Sequence, residues 1–114
     1  MIGPETAESL ITQTITEGGI TVDADGRTVE RDTGYAVAVR GGAIVAMDDS
    51  DVAAGTIREF SRKLDTYLGL WYNDGQIYID RVIIVDNHDD AIALAKSEAQ
   101  LAIYDFAKRS VETV

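Results

Sequence analysis

The sequence has no cysteine, and it has one proline, one histidine and one tryptophan. Without cysteine there is no disulfide framework, no thiolate zinc site and no cysteine nucleophile. The single histidine, His88, leaves one possible imidazole base for Ser50, Ser61, Ser97 or Ser110, and no motif surrounds any of them. No apolar run approaches the ~20 residues of a membrane span. The N-terminus lacks a basic segment followed by an apolar one, so neither a membrane nor a secretory route is expected, and a cytoplasmic location is. No glycine-rich segment leads from a strand into a helix in the pattern of a phosphate loop.

Positive charge is scarce as well. Twenty acidic residues face ten basic ones, a net charge of −10. Residues 1–51 hold ten acids against three arginines (−7), and residues 52–114 hold ten acids against seven bases (−3). Direct binding to nucleic acid needs a positive surface and is not expected. Acidic surfaces instead keep a protein in solution and draw basic protein partners.

What is there is a set of strand and helix signals in a chain long enough for one domain. In Gly69–Phe106, Asp74-Gly75 is a two-residue turn signal. It predicts a hairpin of Leu70–Asn73 with Gln76–Val85. Trp71 then lies across from Tyr78, and Leu70, Tyr72, Ile77 and Ile79 share the core face. Val82-Ile83-Ile84-Val85 is apolar on both faces, as in a central strand. A second hairpin is predicted for Tyr35–Arg40 with Ala43–Met47 around Gly41-Gly42, placing Val37, Val39, Ile44 and Ala46 on one face. A third brackets Asp25-Gly26 between Ile20–Val22 and Thr28–Glu30.

Ile57, Phe60, Leu64, Tyr67 and Leu68 recur at helical spacing and predict a helix over 52–68, with Gly69 as its left-handed cap. A second, alanine-rich helix is predicted over 89–99. Leu101–Phe106 closes the sheet, and Val111–Val114 adds a short terminal pairing. Residues 1–17 are an N-terminal arm or a short helix. Pro4, Glu5 and Glu8 suit a helix start, whereas Thr6, Thr12, Thr14 and Thr16 favour extended chain. The two glycine-containing turns, 34 residues apart, suggest a weak structural duplication. The predicted architecture is α+β: residues 18–114 form one domain, a largely antiparallel sheet built from β-hairpins. Two main helices pack on one face, in the order ββ-ββ-α-ββ-α-β.

Six pieces carry a resemblance: Gly18-Gly19-Ile20-Thr21-Val22, Gly34-Tyr35-Ala36-Val37-Ala38, Leu68-Gly69-Leu70-Trp71, Ile77-Tyr78-Ile79-Asp80, Asp90-Ala91-Ile92-Ala93-Leu94-Ala95 and Gln100-Leu101-Ala102-Ile103-Tyr104-Asp105. Over residues 18–106 the chain resembles a loose family of small bacterial, plasmid and phage proteins with no assigned function. The resemblance supplies no catalytic residues. It implies a cytoplasmic accessory protein that travels with mobile DNA.

Each candidate for chemistry has a plainer reading beside it. Asp23-Ala24-Asp25-Gly26 opens like a calcium loop, but its glycine comes two positions early and Gly34 stands where the bidentate glutamate belongs, so it reads as a turn. Asp48, Asp49 and Asp51 mark a helix start, where capping and the helix dipole account for acids without a metal. Asp86, His88, Asp89 and Asp90 are the better metal candidates, yet one histidine with carboxylates falls short of a recognisable zinc site. No cofactor is expected. Trp71, Tyr78, Tyr35 and Tyr104 could line the second face of the sheet.

Three readings of function follow. The first is a non-catalytic acidic interaction protein that binds a basic protein through Asp23, Asp25, Asp48, Asp49, Asp51, Trp71 and Tyr78, with nucleic-acid mimicry as its sharpest form. The second is a small metal-dependent enzyme using the acidic helix starts. The third is a homodimer joined through the aromatic sheet face.

Overall fold

The structure, a computed structural model, describes residues 2–62 and 67–114. Pro4 opens helix α1 (Pro4–Glu17), and Gly18, at φ 90°, closes it in the left-handed conformation. Ala7, Leu10, Ile11 and Thr14 form its buried stripe. Of the two predicted alternatives for this segment, the helix is the one adopted. The threonines are accommodated by back-bonding: the Thr14 hydroxyl donates to the Leu10 carbonyl at 2.7 Å and Thr16 to Thr12 at 2.9 Å. A buried hydroxyl with a partner costs little.

Six strands follow in one antiparallel sheet: β1 (Gly19–Val22), β2 (Tyr35–Ala46), β3 (Tyr67–Asn73), β4 (Gln76–Val85), β5 (Ala102–Asp105) and β6 (Ser110–Thr113). Their spatial order is β1-β3-β4-β2-β5-β6. Helix α2 (Ser50–Phe60) joins β2 to β3, and α3 (His88–Ser97) joins β4 to β5. The α+β class, the single antiparallel sheet and the succession of elements are as the sequence predicts.

The β3–β4 hairpin has the predicted register, with Trp71 across from Tyr78 and Leu70 across from Ile79. Asp74 (φ 50°) and Gly75 (φ 77°) supply the two positive φ angles that its tight turn demands. Leu70, Ile77 and Ile79 are buried, and Tyr72 packs against them. Asp25-Gly26 also forms a turn. Val22 bridges to Thr28, and the Val29 N–H donates to the Thr21 carbonyl at 2.8 Å, although 28–30 is no strand.

Two predicted elements differ. Gly41-Gly42 does not turn the chain: β2 runs on as one strand, and both its halves pair with β4, Val39 with Arg81 and Ala43 with Ile79. Residues 40–42 stand opposite Asp80 alone, a bulge. The positive φ of Gly41 (97°) serves a bulge as well as a turn. Two of the bulge's backbone groups find side-chain partners: the Arg40 N–H donates to Glu98 at 2.9 Å, and the Gly41 carbonyl accepts from the Arg81 guanidinium at 3.4 Å, while the Arg40 guanidinium donates to the Ser97 carbonyl at 2.9 Å. Val45 is therefore buried with Val37, and Ile44 is 60% exposed on the other face. The duplicated hairpin disappears with the turn.

The helix predicted over 52–68 ends at Phe60. Tyr67 and Leu68 belong to β3, and Leu64 lies outside the described residues. The ladder decides this, since Leu68 pairs with Arg81 on one side and with Val22 on the other. Gly69 is thus a strand residue, not a helix cap.

The helices lie on one face. Ile2, Leu10 and Ile11 from the α1 region and Ala53 and Ile57 from α2 pack on Val45, Leu68, Leu70, Ile77 and Ile79. Ala91 and Ala95 bring α3 close to Val37 and Ile103. On the opposite face, Val29, Tyr67, Val82, Ile84, Tyr104 and Phe106 cover Ala36 at one end of the sheet. Among the described residues no helix covers the rest of that face.

Candidate functional site

On this helix-free face the strands carry unusually small side chains. Gly19, Ala36, Ala38, Gly69 and Ala102 form the floor of a cleft of about 1280 Å³. Trp71 stands on one side, and Leu101, Tyr104 and Val111 on the other. Segment 28–32 borders it. Trp71 is 46% exposed. Its indole lies against Gly19, where an added Cβ would come within 2.5 Å of the ring. The benzo edge of the indole is thus held close to the Gly19 backbone.

Asp80 also lines the cleft. Gly69 is its partner on β3, and the Val82 side chain leans over that glycine, its Cγ2 2.8 Å from where a Cβ would stand. On the β2 side its carboxylate rests on Gly42, where a Cβ would collide with Oδ1. A carboxylate can occupy this position because Gly42 has no side chain. Burial pushes the Asp80 carboxyl above the usual carboxylate range, and among the described residues no hydrogen bond or neighbouring charge opposes the shift. Glu17, Glu30 and Asp32 add negative charge along the cleft. Arg31, which also lines it, is engaged by Asp86 at 2.8 Å and by the Thr33 carbonyl at 3.1 Å. Arg109 is the other cation of the lining.

The residues singled out in the sequence fall at several places. Trp71 and Tyr78 are cross-strand neighbours on the open face, but Tyr35 points to the helical side and meets the His88 ring edge-on at 5.3 Å. Tyr104 joins the cleft. Asp23 builds its own turn, its Oδ1 accepting from the Asp25 and Arg27 N–H groups at 2.9 and 3.0 Å. Asp48, Asp49 and Asp51 are exposed at the start of α2. Asp49 is the N-cap residue yet makes no side-chain capping bond, so the expected capping role does not hold for it. In α3 that role falls to Asn87, which accepts from the Asp90 N–H at 3.0 Å.

The two acidic groups are separated. Gly26, beside Asp25, sits over Thr6 and Ile2 at the start of α1. Asp48 follows Met47, whose N–H donates to Gly75 at the β3–β4 turn, and the end of α1 reaches the same hairpin through Gly18 and Tyr72. About one helix length, ~20 Å at 1.5 Å per residue, lies between them.

Around α3, Asp86 pairs with Arg31, and His88 Nε2 meets the Glu112 carboxylate, while its Nδ1 is 3.6 Å from Asp89. The Glu112 hydrogen bond raises the His88 pKa above its ordinary value. These contacts tie α3 to β6. Among the described residues no three histidine or carboxylate side chains converge on a possible metal position.

Asp80 was the residue that sequence reasoning passed over. An acid inside the apolar run Ile77–Val85 was the available signal. The cleft offers carboxylates, an aromatic wall and a floor of small residues, a set suited to holding a cation with an apolar stem. Comparison with protein-family models, curated proteins and solved structures finds no match for this chain.

Proposed function

We propose that the protein is a non-catalytic interaction module that docks a basic segment of a partner protein in the cleft on its helix-free sheet face. Asp80, half-buried in the cleft and without a partner among the described residues, carries this reading. A partly desolvated carboxylate weakens the fold when it ionises, and a bound cation recovers that loss. The net charge of −10 acts in the same direction at longer range, speeding the approach of a basic partner. It also opposes self-association through this face. The resemblance to small plasmid and phage proteins supports an accessory role in the cytoplasm beside mobile DNA.

Nucleic-acid mimicry is the sharpest form of this reading. The partner would then be a DNA-binding protein and duplex DNA would compete with the module.

The test is capture from a host lysate at low and at ~0.3 M salt, because salt screens exposed charge pairs. A specific partner should be retained by the wild type, weakened by salt, and lost on Trp71→Ala or Leu101→Ser. It should persist on Asp48→Asn with Asp49→Asn. The reverse pattern would move the interface to the start of α2. Displacement of the partner by duplex DNA would identify the mimic.

A further inference from the structure

β2 is the longest strand of the sheet, and its two sides are not equally used. Along one side β4 accompanies it from Tyr35 to Ala46. On the other side β5 pairs only with Tyr35 and Ala36, and among the described residues no strand pairs with β2 beyond that point. The Met47 N–H donates to Gly75 at the β3–β4 turn, so the backbone groups of Ala43 and Val45 face β4 as well. Those of Ile44 and Ala46 then point outward. The Ala46 carbonyl is taken by the Asp49 N–H at 3.0 Å. The bulge ends before Ala43, so 43–46 form a regular ladder with β4.

The outer edges of the sheet are finished differently. Val29 donates to Thr21 and so covers part of β1, while β6 is short and is entered through Lys108 and Arg109. Short strands, charges and covering segments are the usual protection of an edge. Residues 41–47 carry no charge and no proline, and Ile44 is the most exposed large apolar residue of β2. Ile44 stands across from Tyr78, and Tyr78 across from Trp71. An apolar row therefore crosses three strands and stops at this edge.

We infer that the outer edge of β2 is the contact through which two copies of this chain pair, antiparallel about a two-fold axis at Ile44. Ile44 then exchanges both backbone hydrogen bonds with Ile44 of the second copy, and Gly42 lies across from its Ala46. The two sheets become continuous, with both helix-free faces on one side, and the row from Trp71 to Ile44 runs on into its counterpart. Charge selects this register. Arg40 precedes the edge and Asp48 and Asp49 follow it, so antiparallel pairing sets Arg40 of each copy beside Asp48 of the other. Lys96, in the last turn of α3, adds a cation near Arg40, whose guanidinium reaches the Ser97 carbonyl. Glu98 at that end is engaged by the Arg40 N–H. The net charge of −10 opposes the approach of two copies at long range, and salt screens that repulsion. The paired stretch is short, so the dimer is a small interface that forms and dissociates with concentration. The contact is separate from the cleft, whose lining includes no residue from 40 to 49.

Sedimentation equilibrium of the full chain over a range of concentrations, at low and at ~0.3 M salt, tests the pairing. A reversible dimer is expected. Salt should strengthen it, the opposite of its effect on capture of a basic partner. Amide hydrogen exchange of the wild type adds an arm that needs no variant. The Ile44 amide should slow as protein concentration rises, while Val45, bonded to β4, stays slow at every concentration. Ile44→Lys, checked for a native spectrum, should weaken the dimer at least tenfold. Leu101→Lys, the same change of charge on the cleft, should leave it intact. Arg40→Asp should weaken it, and Asp48→Arg added in the same chain should restore it. A monomer at all concentrations, or exchange at Ile44 that ignores concentration, would overturn the inference. So would a dimer lost on Leu101→Lys but kept by Ile44→Lys, or a charge exchange that restores nothing. If the wild type dimerises as expected yet captures no lysate partner, the edge contact stands and the cleft reading falls.

Discussion

The carboxylate of Asp80 rests on Gly42, a residue that is present only because β2 carries extra length between Val39 and Ala43. The bulge thus has a use beyond irregularity. It places a residue without a side chain where a ladder partner would otherwise crowd the acid, the kind of local re-aiming for which bulges are kept near binding sites.

Asp80→Asn should stabilise the free protein at neutral pH. Burial raises the folded-state pKa of Asp80 above its unfolded value. The folded state therefore holds the proton more tightly, and stability is lost as pH rises from the unfolded through the folded pKa. As pH rises through the folded pKa the wild type takes on the cost of desolvating a charge, which the neutral amide does not. Near pH 3, where the carboxyl is protonated in both states, the two proteins should coincide. Urea midpoints at the two pH values measure this, and a variant equally or less stable at pH 7 would refute it.

Gly19→Ala should dislodge the indole of Trp71. The added methyl meets the ring edge, and the strain of such overpacking is ~1–3 kcal/mol. Trp71 is the one tryptophan, so its emission reports the change directly. The spectrum should shift toward that of a solvated indole while the far-ultraviolet circular dichroism stays native.

The bulged register makes opposite demands on neighbouring residues. Val45→Ala should cost roughly 1–3 kcal/mol, whereas Ile44→Ala, on the exposed face, should stay within ~0.5 kcal/mol. A hairpin at Gly41-Gly42 would reverse the order. Ile57→Ala, beneath α2, should cost ~2–5 kcal/mol. Urea unfolding of the three variants settles each.

His88 should titrate above the ordinary histidine value of 6.5, and Glu112→Gln should bring it back toward that value. The sign for stability follows. With its folded pKa raised, the His88–Glu112 pair contributes fully below the unfolded pKa and is lost as pH rises through the folded one. NMR titration of the single imidazole gives the shift. Hydrogen exchange of β6 amides should quicken across the same pH window in the wild type and not in Glu112→Gln.

The parts of the fold legible in the sequence are those decided within a few residues. Asp74-Gly75 demands a turn of one hand, and the alternation on either side sets the face of every residue from Leu70 to Ile79. Gly41-Gly42 carries the same local signal with another outcome, because the deciding fact is the length of β4, some forty residues later. Tyr67 and Leu68 fit a helical period well. They are drawn into β3 by partners on β1 and β4 that the period does not register. Asp80 was invisible as a site for a similar reason, since its surroundings are made by Gly42 and Gly69 from two other strands.

The strand order places β1 at one edge of the sheet and β6 at the other, and the two sides of the cleft lean on them, Trp71 on Gly19 and the facing side on Val111. A chain leaving the ribosome can therefore complete α1, α2 and the β3–β4 hairpin well before the cleft exists. The cleft gains its second side only once residues 110–113 have paired with β5. The full width of the open face is in this way a report that the whole of the sheet has been made.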